Sequence, residues 1–262
     1  PAVEITKTLP HGPAHFNALF VTDANALNVP DLDEALRRAR AQDAFVFWDH
    51  PGWRVPRPEW FPPIAAAYEQ KLFQGMELVN GASFYAEAYP WIEEKRLTIL
   101  SNSDAHDPVP PRAVAGIRPI TLVFARTADA AGVREALFAR RTAAWMGGEV
   151  WGAEEHVRGL WLGAIQVQNP ELSGRAGASL VVRVHNTSAI PFRFRVRQAP
   201  AWLRVEGGAF AAEATSLLRP SIAREAPPGL QRFDLELELT NIHIGPDRNL
   251  AARLPLSVNI SR

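Results

Sequence analysis

Apolar and polar positions change their period partway along the chain, and the change divides it in two. In the first half, short apolar runs alternate with segments whose apolar residues recur at helical spacing. Residues 16–21 (FNALFV) have the pattern of a strand, and residues 44–48 (AFVFW) form an uninterrupted apolar strand that stops at Asp49-His50-Pro51-Gly52. Residues 76–79, 97–100, 120–124 and 143–146 supply four more short strands. Helices are predicted between them. The one over 32–42 starts at Asp31, with Glu34 as capping-box partner. Another covers about 64–73 and is closed by Gly75. A third runs from Ser83 to about Lys95 with a kink at Pro90, and a fourth spans 128–140 behind Thr127. Continuous apolar strands alternating with helices predict a parallel sheet covered by helices.

Beyond a helical or irregular stretch near 154–162, the period falls to two. Residues 180–186 (LVVRVHN), 192–197 (FRFRVR), 233–239 (FDLELEL) and 254–260 (LPLSVNI) each alternate apolar with polar, and turn-rich segments separate them. Alternation of this kind predicts a small antiparallel β-sandwich. Two domains follow, over residues 1–155 and 163–262.

Composition removes several classes of function. Lys plus Arg and Asp plus Glu number 28 each, so there is no basic excess of the kind that binds nucleic acid. No stretch approaches the roughly 18 apolar residues of a membrane span. We expect a soluble bacterial protein of the cytoplasm or periplasm. With no cysteine in the chain, any metal must be held by His, Asp and Glu.

Candidate chemistry gathers at the ends of the apolar strands of the first half. His50 follows AFVFWD, Asp104 and His106 follow residues 97–100, and His15 opens the strand FNALFV eleven positions after Glu4. Corresponding ends of parallel strands lie together, so these side chains converge. Imidazoles with carboxylates suit Mn²⁺, Zn²⁺ or Fe²⁺. Alternate residues of an extended segment point the same way, which lets Asp104 and His106 face one centre. His11 competes with His15 but sits in a turn. Lys7 is a candidate for pairing with a substrate phosphate. His156, His185 and His243 lie outside the pattern and read as structural.

Glu4, His15, the His50-Pro51-Gly52 turn and Ser103-Asp104-Ala105-His106 together resemble the PHP (polymerase and histidinol phosphatase) metal-dependent phosphoesterases, over about residues 1–148. The alternating second half resembles the C-terminal domain of a bacterial PHP subgroup that includes phosphodiesterases. The resemblance implies a distorted (β/α)7 barrel, here partial, followed by the antiparallel sandwich. It implies two or three divalent ions (Mn, Zn or Fe) held by Glu4, His15, His50, Asp104 and His106. The implied reaction is hydrolysis of small phosphate mono- or diesters by a metal-bridging hydroxide, with assembly through the sandwich as a further role. The family's barrel opens with His-x-His, which this sequence lacks. Pro1 reads as the middle of a domain, so we expect a segment upstream. The alternative is a non-catalytic binding or assembly module on a degraded barrel. Amidohydrolase chemistry is disfavoured, because it calls for a lysine at a strand end and Lys71 and Lys95 fall in predicted helices.

Overall fold

Val3 and Ile5 alternate with Glu4 and Thr6, and Ala2–Leu9 forms strand β1. A turn at Pro10 and His11, with Gly12 at φ +133°, returns the chain as β2 (Gly12–Leu19), antiparallel to β1. The computed structural model describes residues 1–106 and 118–262. They divide into two units, residues 1–147 with 151–153, and residues 148–150 with 154–262.

In the first unit, α1 (Leu32–Ala41) is capped by Asp31, whose side chain accepts from the Glu34 N–H. There follow β3 (Phe45–Trp48), α2 (Pro62–Glu69), β4 (Gly75–Asn80), β5 (Ser83–Phe84), α3 (Ala88–Glu94) and β6 (Thr98–Asn102). Then come β7 (Ile120–Val123), α4 (Ala130–Phe138) and β8 (Thr142–Met146). Strand β2 pairs antiparallel with β3, whereas β4 pairs parallel with both β3 and β6 and so lies between them.

The first unit therefore corrects the expectation of a parallel sheet. The sheet is mixed, because a two-residue turn can only join antiparallel strands. Among the described residues its pairings form an open path, and none closes it into a barrel. Two local expectations also change. Pro90 falls in the first turn of α3, where no N–H is required, so it starts the helix instead of kinking it. Asp129, not Thr127, caps α4 by accepting from the Gly132 N–H.

Both faces of the central strands are covered, which explains the unbroken apolar run of β3. Val46, Trp48, Met76 and Leu78 join one core with residues of α1, α2 and α3, including Leu36, Ile64 and Tyr89. Phe45, Phe47 and Leu100 form a second cluster with Leu137 of α4. Trp48 lies at the centre of the larger core, with the rings of Phe16, Trp60, Phe61 and Trp91 5.9–6.4 Å away.

The second unit holds α5 (Glu154–Ala164) and strands in which every second residue is buried, as the period-two pattern requires. One sheet joins residues 165–167, 182–186 and 214–218. A second is built on the long antiparallel pair Gly229–Gly245 and Arg248–Ser261. The pairing is not wholly antiparallel: Glu171–Arg175 runs parallel to the last strand.

Gly75 tests the packing of the first unit. A Cβ there would lie 2.8 Å from Leu100 Cδ1 and 3.0 Å from both Phe45 Cζ and Phe47 Cβ. Urea unfolding of Gly75→Ala is expected to show a loss of about 1–3 kcal/mol.

Candidate metal centre

Period-two alternation also sorts the polar residues of the sheet. Val3, Ile5, Phe16, Ala18, Val46 and Trp48 belong to the larger core. Glu4, His15, Asn17 and Asp49 therefore project from the opposite face. The register places Glu4 across from Asn17, and Asn17 across from Phe47. Asp49 and Glu77 lie two positions beyond the paired residues Phe47 and Gly75. Glu4, Asn17, Asp49, His50, Glu77, Asn80, Asn102 and Asp104 line one cavity of about 230 Å³.

Glu4, His15 and His50 each offer a ligand atom within 4.8 Å of the others, the group of this kind found among the described residues. His15 Nδ1 lies 2.9 Å from Glu4 Oε1. The approach has the distance of a hydrogen bond but not its alignment, so the nitrogen counts as unsatisfied despite the short contact. The two imidazoles meet edge to face at 4.8 Å, and Trp53 packs on both, at 4.8 and 5.5 Å. Burial, followed by the nearby His50, lowers the His15 pKa against the opposing pull of Glu4.

The turn that presents His50 is built by sequence. His50 sits at φ +25°, and its carbonyl accepts from Trp53 N–H. Gly52 leaves room for Tyr85, whose ring carbons would lie 2.7–2.8 Å from an added Cβ. A non-glycine residue at positive φ carries strain of about 1–3 kcal/mol, which surrounding bonds must hold.

Two buried acids complete the cavity, and neither was singled out from the sequence. Asp49 accepts from Asn17 Nδ2 at 2.7 Å through Oδ2, while its buried Oδ1 has no hydrogen-bond partner among the described residues. Glu77 accepts from His50 N at 2.7 Å, Asn102 Nδ2 at 2.7 Å and Asn80 Nδ2 at 3.0 Å. Burial, together with Glu77's charge, pushes the Asp49 carboxyl well above the usual carboxylate range. Burial pushes Glu77 up to about 7 against its hydrogen bonds. The signal available beforehand was an acid inside the apolar run Met76-Glu77-Leu78-Val79, and a second acid beside His50.

The remaining candidates separate. Asp104 lines the cavity, at φ +52°. That conformation is not extended, so the alternation expected to turn His106 the same way does not apply. His106 has a side chain 78% exposed, and its Nδ1 lies 2.9 Å from the Asp104 carbonyl oxygen. Lys7 falls on the opposite strand face from Glu4 and donates to the Val29 carbonyl. His11 stacks on Phe61 at 5.7 Å.

The donor chemistry fits a divalent cation. Two imidazoles and a carboxylate converge, a misaligned imidazole nitrogen and an orphaned carboxylate oxygen are buried beside them, and both would gain a partner from a cation.

No sequence family and no curated protein matches the chain. Among solved structures, it is similar to a two-domain protein from Bacteroides vulgatus described as containing a predicted PHP-like metal-dependent phosphoesterase. The two are 28% identical, with a TM-score of 0.84, over 97% of this chain and 74% of that one. The fold is thus PHP-like, in a two-domain arrangement. A Porphyromonas gingivalis protein of unknown function is 25% identical over 37% of this chain and 47% of its own, but its TM-score of 0.28 is too low for a shared overall fold. No described helix is long and apolar enough to cross a membrane.

The raised carboxyls make a pH prediction. The folded protein holds a proton on Glu77 up to about 7, whereas the ordinary value is 4.5. Between those values Glu77 binds more proton in the fold than in the unfolded chain, so its contribution to stability falls as pH rises, with the lowered His15 contributing in the opposite direction. With chelator present, the melting temperature should be lower at pH 7.5 than at pH 5.5, by on the order of 2 kcal/mol of stability. Asp49→Asn should flatten part of the slope. Adding Mn²⁺ should stabilise the protein most at the higher pH, because metal binding competes with protons for its ligands.

Proposed function

We propose that the first unit is a metal-dependent hydrolase of small phosphate esters. The observation that carries this reading is the convergence of Glu4, His15 and His50 on one point beside an acidic cavity, in a chain with a PHP-like neighbour. Glu4, His15 and His50 would hold the cation, with Asp104 reaching it from the end of β6. His106 is left out of this set. A bound divalent cation lowers the pKa of water and takes up charge developing on a phosphoryl oxygen.

The protein's own groups do the rest. Trp53 packs against both imidazoles and fixes their orientation. Glu4 Oε1 lies 2.9 Å from His15 Nδ1, so these two candidate ligands are already adjacent. Asn17 fixes one oxygen of Asp49 and leaves the other free for a ligand. The acids lining the cavity offer a phosphate no positive partner without a metal, so ester binding is expected to require the cation.

The test is metal analysis with turnover of two esters, bis-p-nitrophenyl phosphate and p-nitrophenyl phosphate, in the presence of Mn²⁺ or Zn²⁺. Bound metal with hydrolysis of either ester is expected, and their ratio reports diester against monoester use. His50→Ala should reduce both metal content and turnover, the latter by at least about 100-fold. A protein that binds no metal and cleaves neither ester would be a non-catalytic module, and the proposal would fall.

A further inference from the structure

Glu77 is hydrogen-bonded to the backbone N–H of one candidate ligand, His50, and to the side-chain amide of Asn102, two residues before another, Asp104. It stands on β4, the strand between β3 and β6. One oxygen, Oε2, accepts from the backbone N–H of His50, just past the end of β3. The other, Oε1, accepts from Asn102 Nδ2 at the end of β6, two residues before Asp104. Asn80, at the end of β4 itself, donates to Oε2 at 3.0 Å. All three donors come from strand ends, and all require an acceptor. Glu77 is 2% exposed, so water does not compete for these bonds.

We propose that Glu77 is a positioning residue that clamps the two ligand-bearing strand ends, setting His50 and Asp104 at the spacing a cation requires. This rests on the reading of Glu4, His15, His50 and Asp104 as a metal centre. His50 and Asp104 are both held at positive φ, +25° and +52°. Positive φ is uncommon for any non-glycine residue, although Asp and His adopt it more readily than most. In its ionised form the carboxylate is suited to the task, because it is then acceptor-only at both oxygens, one directed to each flanking strand. A glutamine of the same shape has one acceptor and one donor. Its NH₂ would face either the His50 N–H or the Asn102 amide, and one strand end would be released.

The test uses the whole chain and Co²⁺, whose visible absorption reports both affinity and coordination geometry. Wild type should bind Co²⁺ with a defined visible spectrum. Glu77→Gln should bind roughly 10–100-fold more weakly and with an altered spectrum, as expected when a residue that orients a ligand is changed. Glu77→Gln combined with Asn102→Asp reverses one hydrogen bond, because the glutamine NH₂ can now donate to the new carboxylate. The double variant should recover most of the lost affinity and the wild-type spectrum, which a general packing defect would not allow. Should Glu77→Gln not fold, Asn102→Ala removes the β6 half of the clamp alone, and it should weaken Co²⁺ binding and alter the spectrum. Wild-type affinity and spectrum in a folded Glu77→Gln, or in Asn102→Ala, would overturn the proposal while leaving the metal centre standing. A double variant no better than Glu77→Gln would overturn it as well. If wild type itself binds no Co²⁺, the metal reading fails and the clamp with it.

Discussion

A carboxylate buried in a sheet must be surrounded by donors, or it costs more than the fold can supply. Glu77 is such a group, and the site is organised around satisfying it. Its partners are the His50 backbone and the amides of Asn80 and Asn102, drawn from the ends of three adjacent strands. Each bond that keeps Glu77 in the interior also fixes a strand end that faces the cavity. Stability and site geometry are thus the same set of bonds here, and the strained turn at His50 is held by one of them.

Two faces of one sheet divide the labour. On one, Trp48 and its aromatic neighbours close a dry core under α1, α2 and α3. On the other, Phe45 and Phe47 pack toward α4, and the next residue on that face along β3 is Asp49. The change from apolar to acidic on the second face falls at the strand ends, where the cavity opens. Burial there, with the neighbouring acids adding to it, raises the Asp49 and Glu77 carboxyls, a state that favours protons or a cation over bare charge.

Much of this was legible in the sequence. Apolar strands ending in His50 and Asp104 marked the rim, because a polar side chain at the end of a buried strand has few places to go. Period-two alternation located the second unit and its one-sided sheets. The sheet's handedness of pairing was less legible, since the Pro10-His11 turn carries no apolar signal and residues 2–9 pass for a chain end. His106 was grouped with Asp104 on the assumption of an extended backbone, and Asp104 at φ +52° breaks that assumption. Asp49 was passed over as a neighbour of His50, although an acid beside a strand-end histidine shares its cavity.

Glu77 was illegible for a different reason. Its meaning lies in bonds to residues 25 and 27 positions away, and only the order β3, β4, β6 brings those residues to its two sides. Local pattern showed an acid in an apolar run, which is a conflict between levels and not yet an assignment. The conflict is informative once topology is known: an acid kept inside a central strand, with every oxygen used, is retained for what its bonds hold in place. By the same logic Asp49 differs from Glu77. One of its oxygens is bonded and the other is not, so Glu77 acts on the strand ends while Asp49 keeps a lone pair for whatever enters the cavity.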